Sequence, residues 1–472
     1  MSCSRRIPST LIAFALALTV YSLAAGPTLA RHSIAPHYVN LADGLLHGRL
    51  DLIQPSSSYD LLIADGRAYV AGSPMPAILL MPFVAIFGAG VSDILFGVIV
   101  GALNVALVHS LFKRGWLTCL FAFGTPHLYL ATLGSVWFNA HVVAIVFGLL
   151  ATRIALDESV LSHALRSPRP KGVGSAAEGG AQRSQGAHAE RWRWLLSGLC
   201  LAGAGFARPT MLFGAVFFAV LIWLTRAHRD RPGALASFGA AIALGIAAHG
   251  LYNATRFGSP ADFGYQYTAG APNITSTYAR YGGFNLRFLP CNLFVSIFGP
   301  PEVNGYVPPI TTNVCGYLLD GVNLSDASAP ITPNPLGMSL FLVTPAFVLL
   351  FAARGRDPLT LAAWAGLLAT MIPLWMYHNT GSLQFGYRYW MDAAPMWLLL
   401  LARRGSLTPP HPRPQVSAPA AFDETFGQAT GLGRRPSPIT LLILASIAIN
   451  VWGFLWMFEK FVGMTWFEVM RR

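Results

Sequence analysis

Residues 37–52 read HYVNLADGLLHGRLDL and residues 69–80 read YVAGSPMPAILL. The segment 37–80 that they bound is the first long polar interruption in an otherwise apolar sequence. Of the 472 residues, 54% are hydrophobic and only 11% are charged. A soluble chain carries about 25% charged residues. The composition therefore predicts an all-α integral membrane protein, with this segment at a membrane surface.

Apolar runs that approach the roughly 20 residues needed to cross a bilayer recur along the chain. They predict one membrane domain of about 11 spans: 7–25, 92–112, 116–133, 136–156, 194–207, 210–225, 235–252, 336–352, 359–377, 387–402 and 439–458. A run at 74–88 is shorter and is predicted to be re-entrant or interfacial. The first run has a second interpretation as a signal peptide cleaved after Ala30, because Thr28-Leu29-Ala30 is a small-residue site.

Arginine clusters mark alternate connections between the predicted spans, as the positive-inside rule expects of cytoplasmic loops. These connections include 157–193, which is expected to be disordered, and the proline-rich 405–437. The two large loops 31–90 and 253–335 are then extracytoplasmic. The net charge of +12 and only three lysines fit a multi-pass protein of a bacterial inner membrane and do not indicate nucleic-acid binding.

Asp43 is the leading catalytic candidate in the first extracytoplasmic loop. A helix over 36–49 would place Asn40, Asp43 and His47 on one face. At the interface such a carboxylate can be partly desolvated and accept a proton, although a solvated surface aspartate is the ordinary alternative. His47 would orient Asp43 or hold a divalent metal ion beside it, and the other loop aspartates, such as Asp51, are interpreted as solvated.

Other polar residues converge on the same side because they lie at the outer ends of their spans, where charge is expensive to bury. Arg208 in FARPTM and Arg388 in GYRYWMDAAP could each bind a lipid-linked phosphate. Asp392, one helical turn after Arg388, would orient it. The alternatives are a snorkelling arginine at 208 and a purely stabilising Arg388–Asp392 pair. His249 and Tyr265 complete the predicted substrate-binding set.

Two cysteines, Cys291 and Cys315, share the second extracytoplasmic loop. Their position is compatible with a disulfide or with two free thiols, and the sequence does not separate these states.

With these residues in view, the chain resembles the GT-C class of integral membrane glycosyltransferases, especially bacterial relatives of the protein-mannosyltransferase family. The stretches that carry the resemblance are LADGLLHGRLDL at 41–52, GSPMPAILLMPFVAIFG at 72–88, RFGSPADFGYQY at 256–267 and QFGYRYWMDAAP at 384–395. The resemblance implies a polyprenyl-phosphate-linked sugar donor, a membrane setting, and inversion at the anomeric carbon on the outer face. It also implies that Asp43 takes the place of the family's first-loop base.

The chain departs from the family pattern at two places. Ala42-Asp43 stands where paired acidic residues are common, and Gly72-Ser73 replaces the lysine that precedes the family's prolines. Donor phosphate binding would then fall to arginines such as Arg49, Arg208 or Arg388. The sugar and the acceptor, which could be a lipid, a glycan or a protein, are left open.

Two other functional classes compete with the glycosyltransferase. A transporter or flippase of a lipid-linked glycan would need broken helices near the bilayer midplane and pseudo-symmetric halves, and neither is predicted. An inactive scaffold of envelope assembly is compatible with the missing lysine.

Overall fold

The computed structural model describes residues 8–156, 180–269, 272–306, 309–319, 329–381, 383–403 and 436–471. In these ranges most regular structure is helical. The α-helices are α1 Ser9–Ala25, α2 His37–Leu46, α3 Met75–Phe87, α4 Asp93–Phe112, α5 Gly115–Phe123, α6 His127–Thr132, α7 Ser135–Ala155, α8 Gly180–Ala207, α9 Ala215–Thr225, α10 Arg231–Phe257, α11 Pro272–Tyr281, α12 Leu289–Phe298, α13 Pro309–Leu319, α14 Leu340–Val343, α15 Pro358–Trp375, α16 Ala394–Arg403, α17 Pro438–Val462 and α18 Trp466–Arg471.

Short 3₁₀ helices and two small antiparallel hairpins complete the described structure. The 3₁₀ helices are Gly26–Ala30, Gly88–Gly90, Pro209–Gly214, Tyr265–Tyr267, Leu286–Phe288, Pro345–Ala352 and Arg388–Ala393. One hairpin pairs β1 Leu61–Ala64 with β2 Arg67–Val70, and the other pairs β3 Glu302–Val303 with β4 Ile331–Thr332.

Six helices of the described chain are long and apolar enough to cross a membrane. They begin at Ser9, Asp93, Ser135, Arg231, Pro358 and Pro438, and each coincides with one of the spans predicted from the sequence. The protein is therefore an all-α membrane protein by the length and composition of its helices.

Four of the other five predicted spans are interrupted or begin with 3₁₀ turns, and the fifth is only the end of a longer, more polar helix, so a count of 11 is not confirmed. The run 116–133 is split into α5 and α6 at Gly124-Thr125-Pro126, and 336–352 is split at Pro345. Proline lacks the amide hydrogen that an unbroken helix needs. The remaining three runs begin with 3₁₀ turns or, at 194–207, form the end of α8.

The break before Pro345 is closed by polar side chains of α17. Asn450 Nδ2 donates to the carbonyl oxygen of Val343 at 2.8 Å, and the amide of Ala346 donates to Ser446 Oγ at 3.1 Å. Freed backbone groups at membrane depth need such partners, because water is absent there. The sequence analysis predicted no broken helices near the bilayer midplane, and the interruptions in 116–133 and 336–352 were not foreseen from the sequence.

Helix α8 begins inside the predicted loop 157–193. Residues 180–193 are helical and continue into the apolar run that follows. Residues 157–179 lie outside the described residues, as do 405–435 of the predicted proline-rich loop.

Charged contacts join the helix ends that the positive-inside rule assigns to the cytoplasm. Arg403 Nη2 lies 2.7 Å from Asp357 Oδ2, and Arg226 Nε lies 2.9 Å from Glu190 Oε1. Arg114 Nη1 donates to the carbonyl oxygen of Ala402. These contacts join the end of α16 to the start of α15 and to the junction between α4 and α5, and they join the end of α9 to α8.

The buried Asp93 lies where α4 and α7 begin, at the ends predicted to be extracytoplasmic, and it anchors the first loop there. Its carboxylate accepts hydrogen bonds from the amides of Ser33, at 2.8 Å, and Ser135, at 3.0 Å. The C-terminal α18 lies at the end of α1, where Trp466 Nε1 donates to the carbonyl oxygen of Ala24 at 2.9 Å.

The first loop contains the predicted helix around Asp43, α2, and the predicted short proline-led helix, α3. Between them lies the hairpin 61–70, with its turn at Asp65-Gly66. Gly72, in the place of the family's lysine, lies against Tyr38. A Cβ atom at this position would overlap Tyr38 Oη. A side chain is therefore excluded there unless Tyr38 moves.

The second loop contains one disulfide, between Cys291 on α12 and Cys315 on α13. Of the two states left open by the sequence, the bonded one is present. Disulfides persist in oxidising compartments, which agrees with an extracytoplasmic loop.

Candidate active site

The most densely connected polar group at the predicted outer side is the carboxylate of Asp392, whose side chain is 1% exposed. Arg208 approaches it side-on, with Nε 2.8 Å from Oδ1 and Nη2 3.0 Å from Oδ2. Thr210 Oγ1 donates to Oδ2 at 2.6 Å, and His141 Nδ1 lies 3.1 Å from Oδ1. Three separate parts of the chain therefore meet at this carboxylate.

Pro209 positions Arg208 and Thr210, the two partners of Asp392 that follow α8. The helix ends at Ala207, Arg208 adopts an extended conformation, and Pro209 opens the next 3₁₀ turn. This break turns both Arg208 and Thr210 toward Asp392, which straight helical geometry would not do.

The predicted pairing of Arg388 with Asp392 is wrong. Residues 388–393 form a 3₁₀ helix, in which residues three apart share a face and residues four apart point about 120° away from each other. Asp392 consequently pairs with Arg208. Arg388 lies with its Cζ 5.9 Å from the ring centroid of Phe138.

Arg388 is 7% exposed, and its Nε has no hydrogen-bond partner. Within the described ranges, no carboxylate lies at ion-pair distance from its guanidinium group. The Cζ atoms of Arg388 and Arg208 lie 5.6 and 5.3 Å from the centroid of one ring, that of Tyr389. A buried charge without a counter-ion is costly, so this arrangement favours an anion beside Arg388.

An aromatic chain connects this cluster to Tyr265. The Tyr389 and Tyr377 centroids are 5.9 Å apart, and those of Tyr377 and Tyr265 are 6.4 Å apart. Tyr265 also contacts the ring of His378 at 5.7 Å. Burial lowers the pKa of His378 to about 4, so this imidazole is neutral near pH 7.

Asp43 is on α2, as predicted, and its side chain is 28% exposed. His47 Nδ1 is 3.6 Å from Asp43 Oδ1 and 2.8 Å from the carbonyl oxygen of Asp43. None of the contacts in the described part of the chain joins Asp43 directly to Arg208 or Arg388. Tyr38, at the start of α2, is the residue of this helix that is near Arg208. Burial raises the pKa of the Tyr38 hydroxyl, and the positive charge of Arg208 opposes that rise.

Arg49 belongs to a different surface. Its Nε donates to Asp51 Oδ1 at 3.2 Å, and its Nη2 bonds to Oδ2. The hydrogen bond from Arg49 lowers the pKa of Asp51. The interpretation of Asp51 as a solvated carboxylate is therefore wrong, because the pair buries it.

His249 lies among aromatic rings. Its centroid is 5.6 Å from that of Phe206 and 5.2 Å from that of Phe263. No described contact connects it to Asp392, so its predicted role in substrate binding stays a prediction.

The sequence analysis assigned no role to three members of the cluster: His141, Thr210 and Tyr389. His141 did carry a signal, because an ionisable residue inside an apolar run points to a functional site. Thr210 carried none, since threonine is ordinary at the start of a span.

Metal binding has limited support from side chains. No group of three His, Cys, Asp or Glu residues that could hold an ion occurs among the described residues. The Asp43–His47 pair thus has no third ligand of these types in that part of the chain.

The fold is similar to solved structures of an archaeal oligosaccharyltransferase, AglB, from Archaeoglobus fulgidus. The structure of AglB with an inhibitory peptide and a dolichol-phosphate matches with a TM-score of 0.50 and 12% identity, over 95% of this chain and 55% of that chain. The apo form of an Archaeoglobus fulgidus oligosaccharyltransferase matches with a TM-score of 0.47 and 11% identity, over 96% and 55%.

The chain thus spans about half the length of the AglB chain. No protein-family model and no curated protein matches the sequence. At this identity the likeness concerns the fold, and it confirms the GT-C-like fold predicted from the sequence.

Proposed function

We propose that this protein is a membrane glycosyltransferase that moves a sugar from a polyprenyl-phosphate donor to an acceptor hydroxyl at the extracytoplasmic face of its membrane. The observation that carries the proposal is the buried guanidinium group of Arg388, which has no carboxylate partner among the described residues. A phosphate next to it would supply the missing negative charge and the hydrogen-bond acceptors.

Arg208 supports the same site, because its guanidinium group lies beside the same Tyr389 ring. Because Asp392 occupies its Nε and Nη2, Arg208 is held in one orientation and keeps further N–H donors. Two arginines around one aromatic ring form a positive site where a leaving phosphate would be stabilised.

The proposed reaction is a single displacement. The acceptor oxygen attacks the anomeric carbon and forms the new glycosidic bond, while the bond from that carbon to the phosphate oxygen breaks. The acceptor proton goes to Asp43, and the polyprenyl phosphate leaves as an anion with the bonding electrons. Attack opposite the leaving group inverts the anomeric configuration.

Tyr265 is proposed to contact the sugar. It borders both Tyr377 and His378 and lies near enough to Arg208 to contribute to the raised pKa of that guanidinium group. A ring at this place can stack on a sugar held by its phosphate.

A binding experiment tests the proposed donor site and does not require that the transferred sugar be known. Native mass spectrometry of the purified protein should detect undecaprenyl phosphate, and Arg388→Gln should weaken its binding at least about tenfold, with Arg388→Lys less affected. Equal binding by wild type and Arg388→Gln would refute this site.

Catalysis is tested with Asp43→Asn in proteoliposomes that contain undecaprenyl-phosphate-linked hexoses and membrane lipids. Loss of a general base lowers rates about 100-fold or more, measured as release of undecaprenyl phosphate. The matched control is Asp65→Asn, an exposed loop residue in a hairpin turn. An Asp43→Asn variant as fast as wild type would contradict the assigned role.

One observation favours a second function, transport of a lipid-linked glycan. The broken helices face each other, since Thr344 Oγ1 donates to the carbonyl oxygen of Gly124 at 2.9 Å, and broken helices are common in transporters. Movement of a fluorescent lipid-linked glycan from one leaflet of a vesicle membrane to the other, without release of polyprenyl phosphate, would identify a transporter and exclude the transferase.

A further inference from the structure

A cavity of about 400 Å³ opens beside the C-terminal end of α2. Its walls come from the segment after α2, from strand β2 and from the end of α10. The polar side chains that line it are those of Arg49, Asp51, Arg67, Tyr69 and Thr255. A cavity of this size accommodates a small molecule or the headgroup of a lipid.

The charge of this cavity is positive because only one of its arginines is neutralised. Asp51 is bound side-on by Arg49 through Nε and Nη2, which leaves Nη1 of Arg49 available. Arg67 is exposed, and none of the described carboxylates lies at ion-pair distance from it. The Thr255 hydroxyl donates to main-chain oxygens at Leu251 and Tyr252.

The cavity is tied mechanically to the helix of Asp43. Gly44 packs so closely on the following segment that a Cβ atom there would lie 2.7 Å from the carbonyl oxygen of Asp51. The cavity wall therefore packs directly against α2.

Asp43 lies between two positively charged regions. Tyr38, five residues before it, is near Arg208, and Gly48, five residues after it, lines the cavity. Tyr38 lies roughly 8 Å from Asp43 along α2, and Gly48 follows the C-terminal end of that helix. A donor phosphate near Arg208 and a second anion in the cavity would thus lie toward opposite ends of α2.

We propose that this cavity binds a phosphate group on the acceptor through Arg67 and Arg49, so that the enzyme glycosylates a phosphate-bearing lipid or a soluble phosphate ester. The assignment as an acceptor site rests on the proposed function. Phosphate binding itself depends only on the cavity. Arginine suits this ligand because its planar group can form two parallel hydrogen bonds to phosphate oxygens.

The test uses Arg67, because its exposed side chain can be replaced without uncovering Asp51. Isothermal titration of the purified full chain would use sn-glycerol 3-phosphate as the soluble probe and dihexanoyl phosphatidylglycerol as the lipid probe, with glycerol and dihexanoylglycerol as uncharged counterparts. At least one phosphate probe should bind, and Arg67→Gln should weaken it at least about tenfold. Arg67→Lys should lose less, and Arg31→Gln, an exposed charge elsewhere in the loop, should bind as wild type.

The outcomes separate the site from the proposed function. Binding of the soluble probe supports a soluble acceptor, and binding of the lipid probe alone supports a phospholipid. Failure of both probes, or equal binding by Arg67→Gln, overturns the site. In the transfer assay, an acceptor KM raised by Arg67→Gln with kcat retained supports the acceptor role, and an unchanged KM refutes that role while sugar transfer itself stands.

Discussion

Arg208 and Asp392 are 184 residues apart in sequence, yet their side chains meet in a side-on pair with Nε–Oδ1 and Nη2–Oδ2 distances of 2.8 and 3.0 Å. The pair fastens the junction between α8 and α9 to the start of α16. It also leaves Arg388 without the carboxylate four residues away, which is the basis for placing a ligand phosphate there.

Removal of one member of this pair should be more harmful than removal of both. Asp392→Leu leaves a largely buried guanidinium group without a counter-charge, so we expect a loss of about 3–5 kcal/mol of stability. The double variant Arg208→Met/Asp392→Leu should be closer to wild type than the sum of the single variants. Thermal unfolding in detergent measures this coupling, and additive effects would show that the pair is not coupled.

Gly72→Ala should destabilise the protein by about 1–3 kcal/mol, because the new methyl group overlaps Tyr38 Oη in a packed region. The second variant Gly72→Ala/Tyr38→Phe should recover most of that loss. Without the hydroxyl, the nearest Tyr38 atom to the Cβ is the ring carbon at 3.4 Å. The measurement is again the unfolding temperature, and no recovery in the double variant would place the strain elsewhere.

Loss of the Cys291–Cys315 disulfide should lower stability by about 3 kcal/mol, since it closes a loop with a sequence separation of 24 residues. The Cys291→Ser/Cys315→Ser variant should unfold at a lower temperature than wild type. A reductant should lower the unfolding temperature of wild type and leave that of the variant unchanged. If the reductant acts equally on both proteins, the effect comes from another group.

The stability of the protein should fall as the pH is lowered from about 6.5 to about 4, and His378 should contribute to this loss. Its folded-state pKa is about 4, below the ordinary value of about 6.5. Between these values the unfolded chain binds a proton that the folded chain does not, which favours unfolding by up to about 3 kcal/mol. His378→Gln should flatten unfolding temperature against pH, and an equal slope in both proteins would contradict the prediction.

Hydropathy predicted the helices that are continuous, such as α4, α7 and α17. A long apolar run without an internal proline can satisfy its backbone hydrogen bonds in a bilayer by forming one α-helix. It did not predict the breaks at Thr125-Pro126 and Thr344-Pro345. Those depend on partners far along the chain, such as Asn450, that satisfy the freed backbone groups.

In the candidate site, too, single residues could be predicted from the sequence and their contacts could not. Arg208, Arg388 and Asp392 were recognisable one by one, because each interrupts an apolar context. Their pairing was not, because it follows from the 3₁₀ geometry at 388–393 and from the extended residue before Pro209. The role of Tyr265 as a neighbour of this cluster likewise needed the fold.

The hydrogen bond from Trp466 to Ala24 joins residues 442 positions apart. During synthesis α1 therefore enters the membrane long before its partner at the other end exists. Until α18 has been made, the end of α1 at Ala24 lacks this contact, so a helix synthesised much later completes the environment of α1. Maturation of the first span is thus a late event in the biogenesis of the protein.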